Sequence, residues 1–189
     1  MAMRPLLTLC TCVLGVAMLT AQTPNPVPSG GGPKAKASAD KLPAQLAKVF
    51  PDAQSFSPKQ GDPPHFVAFG APDAAGKPTP LGFVYWTTEL EPLERGYDGP
   101  IKMLVGLDRK GTITNLMVVE HHEPYGNFSV EAPAFAAQFR GKSIRDGFKV
   151  GIDVDAVTRA TITVTSAARA IKNASRRIAR QYLPPPEKP

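Results

Sequence analysis

Hydrophobic residues recur along this chain with two periods. From Leu42 to Phe50, the residues Leu42, Leu46, Val49 and Phe50 share one face of a 3.6-residue period, which predicts a short helix ended by Pro51-Asp52. HFVAFG (65–70), LGFVYWTT (81–88), IKMLVGLD (101–108) and TITNLMVVEHH (112–122) are short runs rich in β-branched and aromatic residues and predict strands. Arg109-Lys110-Gly111 joins the last two as a hairpin with glycine at the left-handed position. Turn residues dominate APDAAGKPTP and the loop ELEPLERGYDGP (89–100). PAFAAQFR (133–140) returns to the helical period through Phe135 and Phe139, and GFKVGID (147–153) predicts a further short strand. A final helix is expected over Ser166–Tyr182, with an apolar stripe of Ala168, Ile171, Ala174 or Ser175, Ile178 and Tyr182. Beside it run Arg169, Lys172, Arg176 and Arg180, a cationic stripe that reads as a solvated face or as a dock for an acidic partner or lipid surface. Hairpin-linked strands with helices at both ends predict an α+β domain, a mainly antiparallel sheet with flanking helices. Tyr85 and Trp86 point to opposite faces of their strand, so one of the two is expected in the core.

The ends of the chain differ from this middle. Residues 1–21 carry one basic residue, Arg4, then an apolar run from Leu6 to Leu19 and a small residue, Ala21. That is the pattern of a signal peptide, and it implies a periplasmic or secreted protein, membrane-anchored if the leader is retained. Residues 22–40 are dominated by proline, glycine, serine and alanine and read as a disordered tether. Residues 184–189 read as a disordered tail, which leaves one domain at 41–183. Both cysteines, Cys10 and Cys12, fall in the leader. Removal of the leader leaves no disulfide, thiolate metal site or cysteine nucleophile.

The formal net charge is +6. In an exported chain this favours acidic redox partners, anionic lipid or a phosphate-bearing cofactor over nucleic acid. No serine stands in a glycine elbow and no nucleotide-hydrolase phosphate loop is present. The histidines of EHHEPYG (120–126) are poor metal ligands, because adjacent strand residues face opposite sides; no metal site is expected.

DAVTRATITVTSAARAI (155–171) places Thr158, Thr161, Thr163, Thr165 and Ser166 where the last helix should begin. Taken as residue types, it is a strand end followed by a helix capped by Thr165 or Ser166, or a loop that presents one hydroxyl for covalent modification. Asp155-Ala156-Val157-Thr158-Arg159-Ala160-Thr161 resembles the flavinylation motif of the FMN-binding domain family. That family includes flavin subunits of the Rnf and sodium-pumping NADH–quinone oxidoreductase complexes and the periplasmic domain of the nitrous-oxide-reductase regulator. VFPDA (49–53), GYDGPI (96–101), LVGLDRKGTI (104–113) and EHHEP (120–124) extend the resemblance over most of 41–183.

The resemblance implies FMN joined as a phosphoester to Thr161 by an FMN transferase, with Asp155 and Thr158 in the sequence the transferase recognises. The implied cofactor-binding residues are Thr161, Thr158, Arg159, Ala160, Thr163, His122, Glu123, Pro124 and Tyr97, with Tyr97 suited to lie against a flat ring. The commonest form of the motif has glycine where this chain has Arg159. A positive φ there strains a non-glycine residue, and the guanidinium either contacts the FMN phosphate or is merely tolerated. The implied role is electron carrier, relaying between membrane or periplasmic redox proteins such as cytochromes or quinone-linked complexes, without an organic substrate of its own. The alternative is a secreted binding module of the same fold without covalent flavin.

Overall fold

The computed structural model describes residues 41–184; the expected leader, the tether and all but the first residue of the tail lie outside the described residues. In order, the elements are α1 (Leu42–Val49), β1 (Ser55–Phe56), β2 (Phe66–Pro72), β3 (Pro78–Trp86), α2 (Thr87–Leu90), β4 (Lys102–Asp108), β5 (Ile113–Glu120), a 3-10 turn (Gly126–Phe128), α3 (Pro133–Ala137) and α4 (Thr161–Tyr182). The strands form a single antiparallel meander in the order β1-β2-β3-β4-β5. This is the α+β architecture expected from the hydrophobic pattern.

Side-chain alternation divides the sheet into two buried faces. Tyr85 lies opposite Val105, and Val105 opposite Leu116; these three join the larger core, which α4 covers with Val164, Ala167, Ala168, Ile171, Ala174 and Ile178. On the other face Phe66 lies opposite Val84, and Trp86 opposite Leu104, under Leu46, Val49 and Phe50 of α1 and its end. Tyr85 and Trp86 therefore both belong to the core, because both faces of their strand are covered. The Tyr85 hydroxyl donates to Ser175 Oγ at 2.7 Å inside the larger core. Burial drives its phenol well above the usual range, and the Ser175 bond opposes this only in part.

Close helix–sheet contact on the α1 face depends on two glycines. A Cβ on Gly106 would lie 2.5 Å from the Val49 carbonyl oxygen, and one on Gly82 would lie 2.7 Å from the Phe50 ring. Thr114 Oγ1 then donates to the Val49 carbonyl at 2.7 Å and Asn115 Nδ2 to the Lys48 carbonyl at 2.8 Å. The end of α1, whose last carbonyls lack intrahelical donors, is thus satisfied by β5.

The hairpin forms as expected, with Gly111 at φ 81°. Among the differences from expectation, three have a clear physical cause. Thr87 and Thr88 leave the strand and open α2; the buried Thr87 hydroxyl accepts from the Met103 N–H at 3.1 Å, which ties this corner to β4. Residues 147–153 are not a strand. Gly151 takes φ 83°, and the Asp153 carboxylate accepts from the Phe148 N–H at 2.8 Å and from the Lys149 N–H. The segment is a turn held by one side chain, whose local bonds compete with any ladder. Finally α4 starts at Thr161 instead of Ser166. Its β-branched opening residues disfavour helix, but Thr163 and Val164 are buried there and tertiary packing decides.

The cationic stripe on α4 is largely engaged within the molecule. Arg169 pairs with Glu94 at 2.6 Å, Lys172 donates to the Gly147 carbonyl at 2.9 Å, and Arg176 donates to the carbonyls of Ile144 and Asp146 at 2.7 and 3.1 Å. Only Arg180 of the four stays exposed without such a bond among the described residues. No described helix is long and apolar enough to cross a membrane.

Asp153 gives the fold a defined acid response. Desolvation pushes its carboxyl up, but the Lys149 and Phe148 amides and the Lys142 ammonium, 3.7 Å away, together hold it below its ordinary value of 3.8. A depressed carboxyl contributes stability that is complete above the unfolded value and is lost as pH falls through the folded one. The melting temperature should therefore fall as the solution is acidified below pH 3.8. Asp153→Asn should be less stable at neutral pH and show a shallower loss across that acid range in thermal melts.

Candidate functional site

The residues singled out in 155–161 form a turn that delivers the chain into α4. Asp155 N–H donates to Gln138 Oε1 at 2.7 Å, leaving its exposed carboxylate free of that contact. The Ala160 N–H then donates to the Val157 carbonyl at 3.0 Å, closing a four-residue turn with exposed Thr158 and Arg159 at its centre. Arg159 has φ 68°. It occupies the third position of the turn, where the positive φ of a type II turn favours glycine. This accounts physically for the glycine in the commonest form of the motif, and it makes Arg159 a strained residue.

Buried Ala160 is the N-cap of α4 and offers no side-chain cap. The first helical amides have no intrahelical acceptors, and the positive end of the helix dipole lies here. Thr161 is the first residue of the helix and is exposed; its hydroxyl has one long contact, 3.4 Å to the Val157 carbonyl. It stands on the helix, not in a loop before it, yet the residue remains exposed. Among the described residues the Arg159 guanidinium makes no hydrogen bond or ion pair.

Two residues further on, the helix turns inward. The buried Thr163 hydroxyl donates to Glu123 Oε2. The same carboxylate accepts from the Tyr97 N–H at 3.0 Å through Oε2 and from the Asp98 N–H at 3.0 Å through Oε1. Glu123 is 6% exposed, and protein donors occupy both of its oxygens. It joins three segments distant in sequence: the loop after α2, the loop after β5 and the first turn of α4. A Cβ on Gly96 would collide with Glu123 Oε1, so only glycine permits this approach.

A second brace lies behind it. The Glu123 N–H donates to His121 Nδ1 at 3.1 Å, so Nε2 carries the ring proton and donates to Glu131 Oε1 at 2.7 Å. His121 fills the space that a side chain on Gly126 would take. His121, Gly96 and Gly126 were absent from the expected site. The glycine signal was present in the sequence, but pairing each with its acidic or imidazole neighbour requires the fold.

Of the expected residues, the structure brings Tyr97, Glu123 and Thr163 into direct contact and places Thr158, Arg159, Ala160 and Thr161 in continuous chain beside them. His122 and Pro124 are exposed, just past the end of β5. Several aromatic and apolar side chains of the segments joined by Glu123 are exposed. Tyr97 is 71% exposed and Ile162 60%, while Tyr125 and Phe128 are exposed and pack together with centroids 5.4 Å apart. A separate cavity of about 1130 Å³ lies on the α1 side of the sheet, lined by Leu42, Leu46, Phe56, Phe66, Trp86 and Lys102 among others. Its walls include several smaller-core residues and none from the Thr161 turn, and it had no counterpart in the sequence-based expectation.

Residues 96–176 match the family described as the FMN-binding domain. This segment belongs to the FMN-binding domain family. The match begins at Gly96, beneath Glu123, and takes in the whole Thr161 turn and most of α4. The chain is 33% identical over 88 residues to a subunit of the ion-translocating oxidoreductase complex of Vibrio vulnificus, covering 41% of this chain and 42% of that protein. It is 36% identical over 89 residues to the corresponding protein from Escherichia coli, covering 42% and 43%. Similarity to the regulatory protein NosR of Pseudomonas aeruginosa is 27% over 145 residues, reaching 71% of this chain but 19% of that protein. The chain therefore spans under half the length of each of these relatives. At 71% of this chain, the last alignment is longer than the family segment.

Two substitutions probe this geometry. Arg159→Gly should relieve the left-handed backbone and raise stability by about 1 kcal/mol, seen as a higher melting temperature. Gly96→Ala should lower stability by about 1–3 kcal/mol, because the new methyl group displaces the buried carboxylate.

Proposed function

We propose that this chain is an exported electron-transfer flavoprotein that carries FMN in phosphoester linkage on Thr161. The observation that carries the reading is the Thr161 hydroxyl, exposed at the uncapped start of α4 and preceded by the Asp155–Ala160 motif. The residues present fit an FMN. The unshared helical amides and the unpaired guanidinium of Arg159 suit a phosphate. Tyr97, Tyr125, Phe128 and Ile162 offer apolar area for a tricyclic ring, and a bound ring would remove that area from water. His122 and Pro124 stand at the same end of the sheet, and Glu123 and Thr163 hold the inner side of the site.

In this reading an FMN transferase recognises Asp155 and Thr158 in the exposed turn. The transfer joins Thr161 Oγ1 to the FMN phosphorus, breaks the pyrophosphate of FAD and releases AMP. Bound FMN supplies one- and two-electron redox chemistry. The chain's own groups anchor it, offset its phosphate charge and shield one side of the ring from water. Residues 1–21 act as the leader, 22–40 as a tether, 41–183 as the domain and 184–189 as a tail. The redox partners are membrane or periplasmic proteins such as cytochromes or quinone-linked complexes, and a covalent cofactor is suited to a compartment where free flavin is easily lost.

The intact mass of protein exported from a host with the transferase tests this directly. An added FMN mass that persists in denaturant and disappears in Thr161→Ala is the expected result. Wild-type protein of unmodified mass under those conditions would leave the binding module without covalent flavin as the better description.

A further inference from the structure

The proposed site has an inner side as well as an open one, and its inner side is a single carboxylate. Glu123 accepts from two main-chain amides of the 96–98 loop and from the Thr163 hydroxyl of α4. No described cation pairs with it. Three donors from two segments replace water around a buried anion, an arrangement that holds only while all three segments stay in register. Gly96 is shaped around it, and the His121 imidazole fixes its main chain. The loop so held carries Tyr97, whose ring is directed outward at 71% exposure. The helix turn so held carries Thr161, two residues before Thr163.

We propose that Glu123, acting through Thr163 and the Tyr97 and Asp98 amides, is a positioning residue that locks the aromatic loop against the attachment turn, so that a ring tethered at Thr161 is held in one orientation. This rests on the flavin reading given above. Glu123 does not touch the reacting atoms in this role. Its carboxylate oxygens are occupied by the protein, and its effect on the cofactor passes through Tyr97 and the first turn of α4.

The test uses the full chain, flavinylated in a host with the transferase, as wild type, Thr163→Val and Thr163→Ser. Thr163→Val keeps the shape and removes the donor; Thr163→Ser keeps the donor. Intact mass establishes that flavin is present, melting temperature that each protein is folded, and visible circular dichroism of the flavin reports how uniquely the ring is held. In Thr163→Val the dichroism should fall by about half or more, as a preorganised ring gains freedom. Exchange of the Tyr97 and Asp98 amides should quicken about tenfold. Thr163→Ser should recover both.

Unchanged dichroism in a folded, flavin-loaded Thr163→Val protein overturns the positioning role and leaves the carrier reading intact. Equal loss in Thr163→Ser overturns it as well, since the hydroxyl would then not be the agent. Loss of the FMN mass from a folded Thr163→Val protein assigns the residue to transferase recognition instead and also overturns it. Wild-type protein without FMN mass overturns the carrier reading, and this proposal with it.

Discussion

The packing of α4 across the sheet is the contact on which the rest depends. Its buried stripe alternates small residues, Ala167, Ala168 and Ala174, with Val164, Ile171 and Ile178. Alanines let the helix backbone approach the strands, and the larger residues fill the gaps between Tyr85, Met103, Val105 and Leu107. Burying an Ile side chain contributes roughly 1.5–3 kcal/mol, so this stripe sets the position of the whole helix. Polar bonds then fix its rotation: Ser175 to Tyr85, Arg177 to the Leu90 carbonyl, and Tyr182 to the Asp62 carbonyl. With axis and rotation both set, Thr161 can only face outward while Thr163 faces in.

The two hydroxyls thus differ in chemistry because of helical geometry alone. Residues two apart on a helix lie on different sides. One is exposed beside an arginine without a partner; the other is buried against a carboxylate. The basic residues that looked like a free stripe on α4 mostly serve the same end, anchoring the 91–95 and 144–147 segments to the helix. Charge that reads as surface in a linear sequence is here structural.

How far the sequence reveals this varies with the range of the interactions. The hairpin of β4 and β5 is legible because strand period and a left-handed glycine agree locally. The motif ending at Thr161 stands out by its resemblance to a family pattern, since its residue types alone also suit a strand end and a capped helix. The 147–153 segment is not, because its apolar residues suit a strand while the Asp153 bonds to its own neighbours decide otherwise. The start of α4 is not, because local preference opposes it and contacts 40 residues away in sequence, between Thr163 and Glu123, prevail. Glu123 sits in a legible segment, but its inward role depends on three donors from two segments that no local pattern connects.

The length of α4 has its own consequence. At 22 residues it is about 33 Å long, whereas β4, with seven residues, spans about 23 Å. A helix running along β4 would extend past it by about 10 Å. At the start of that helix, loops and one carboxylate take the place of strands as support. Fraying there would uncover Val164 of the larger core and part the Thr163 hydroxyl from Glu123. The first turn of this lever is therefore pinned on its inner side while its outer side, at Thr161 and Ile162, stays open to solvent.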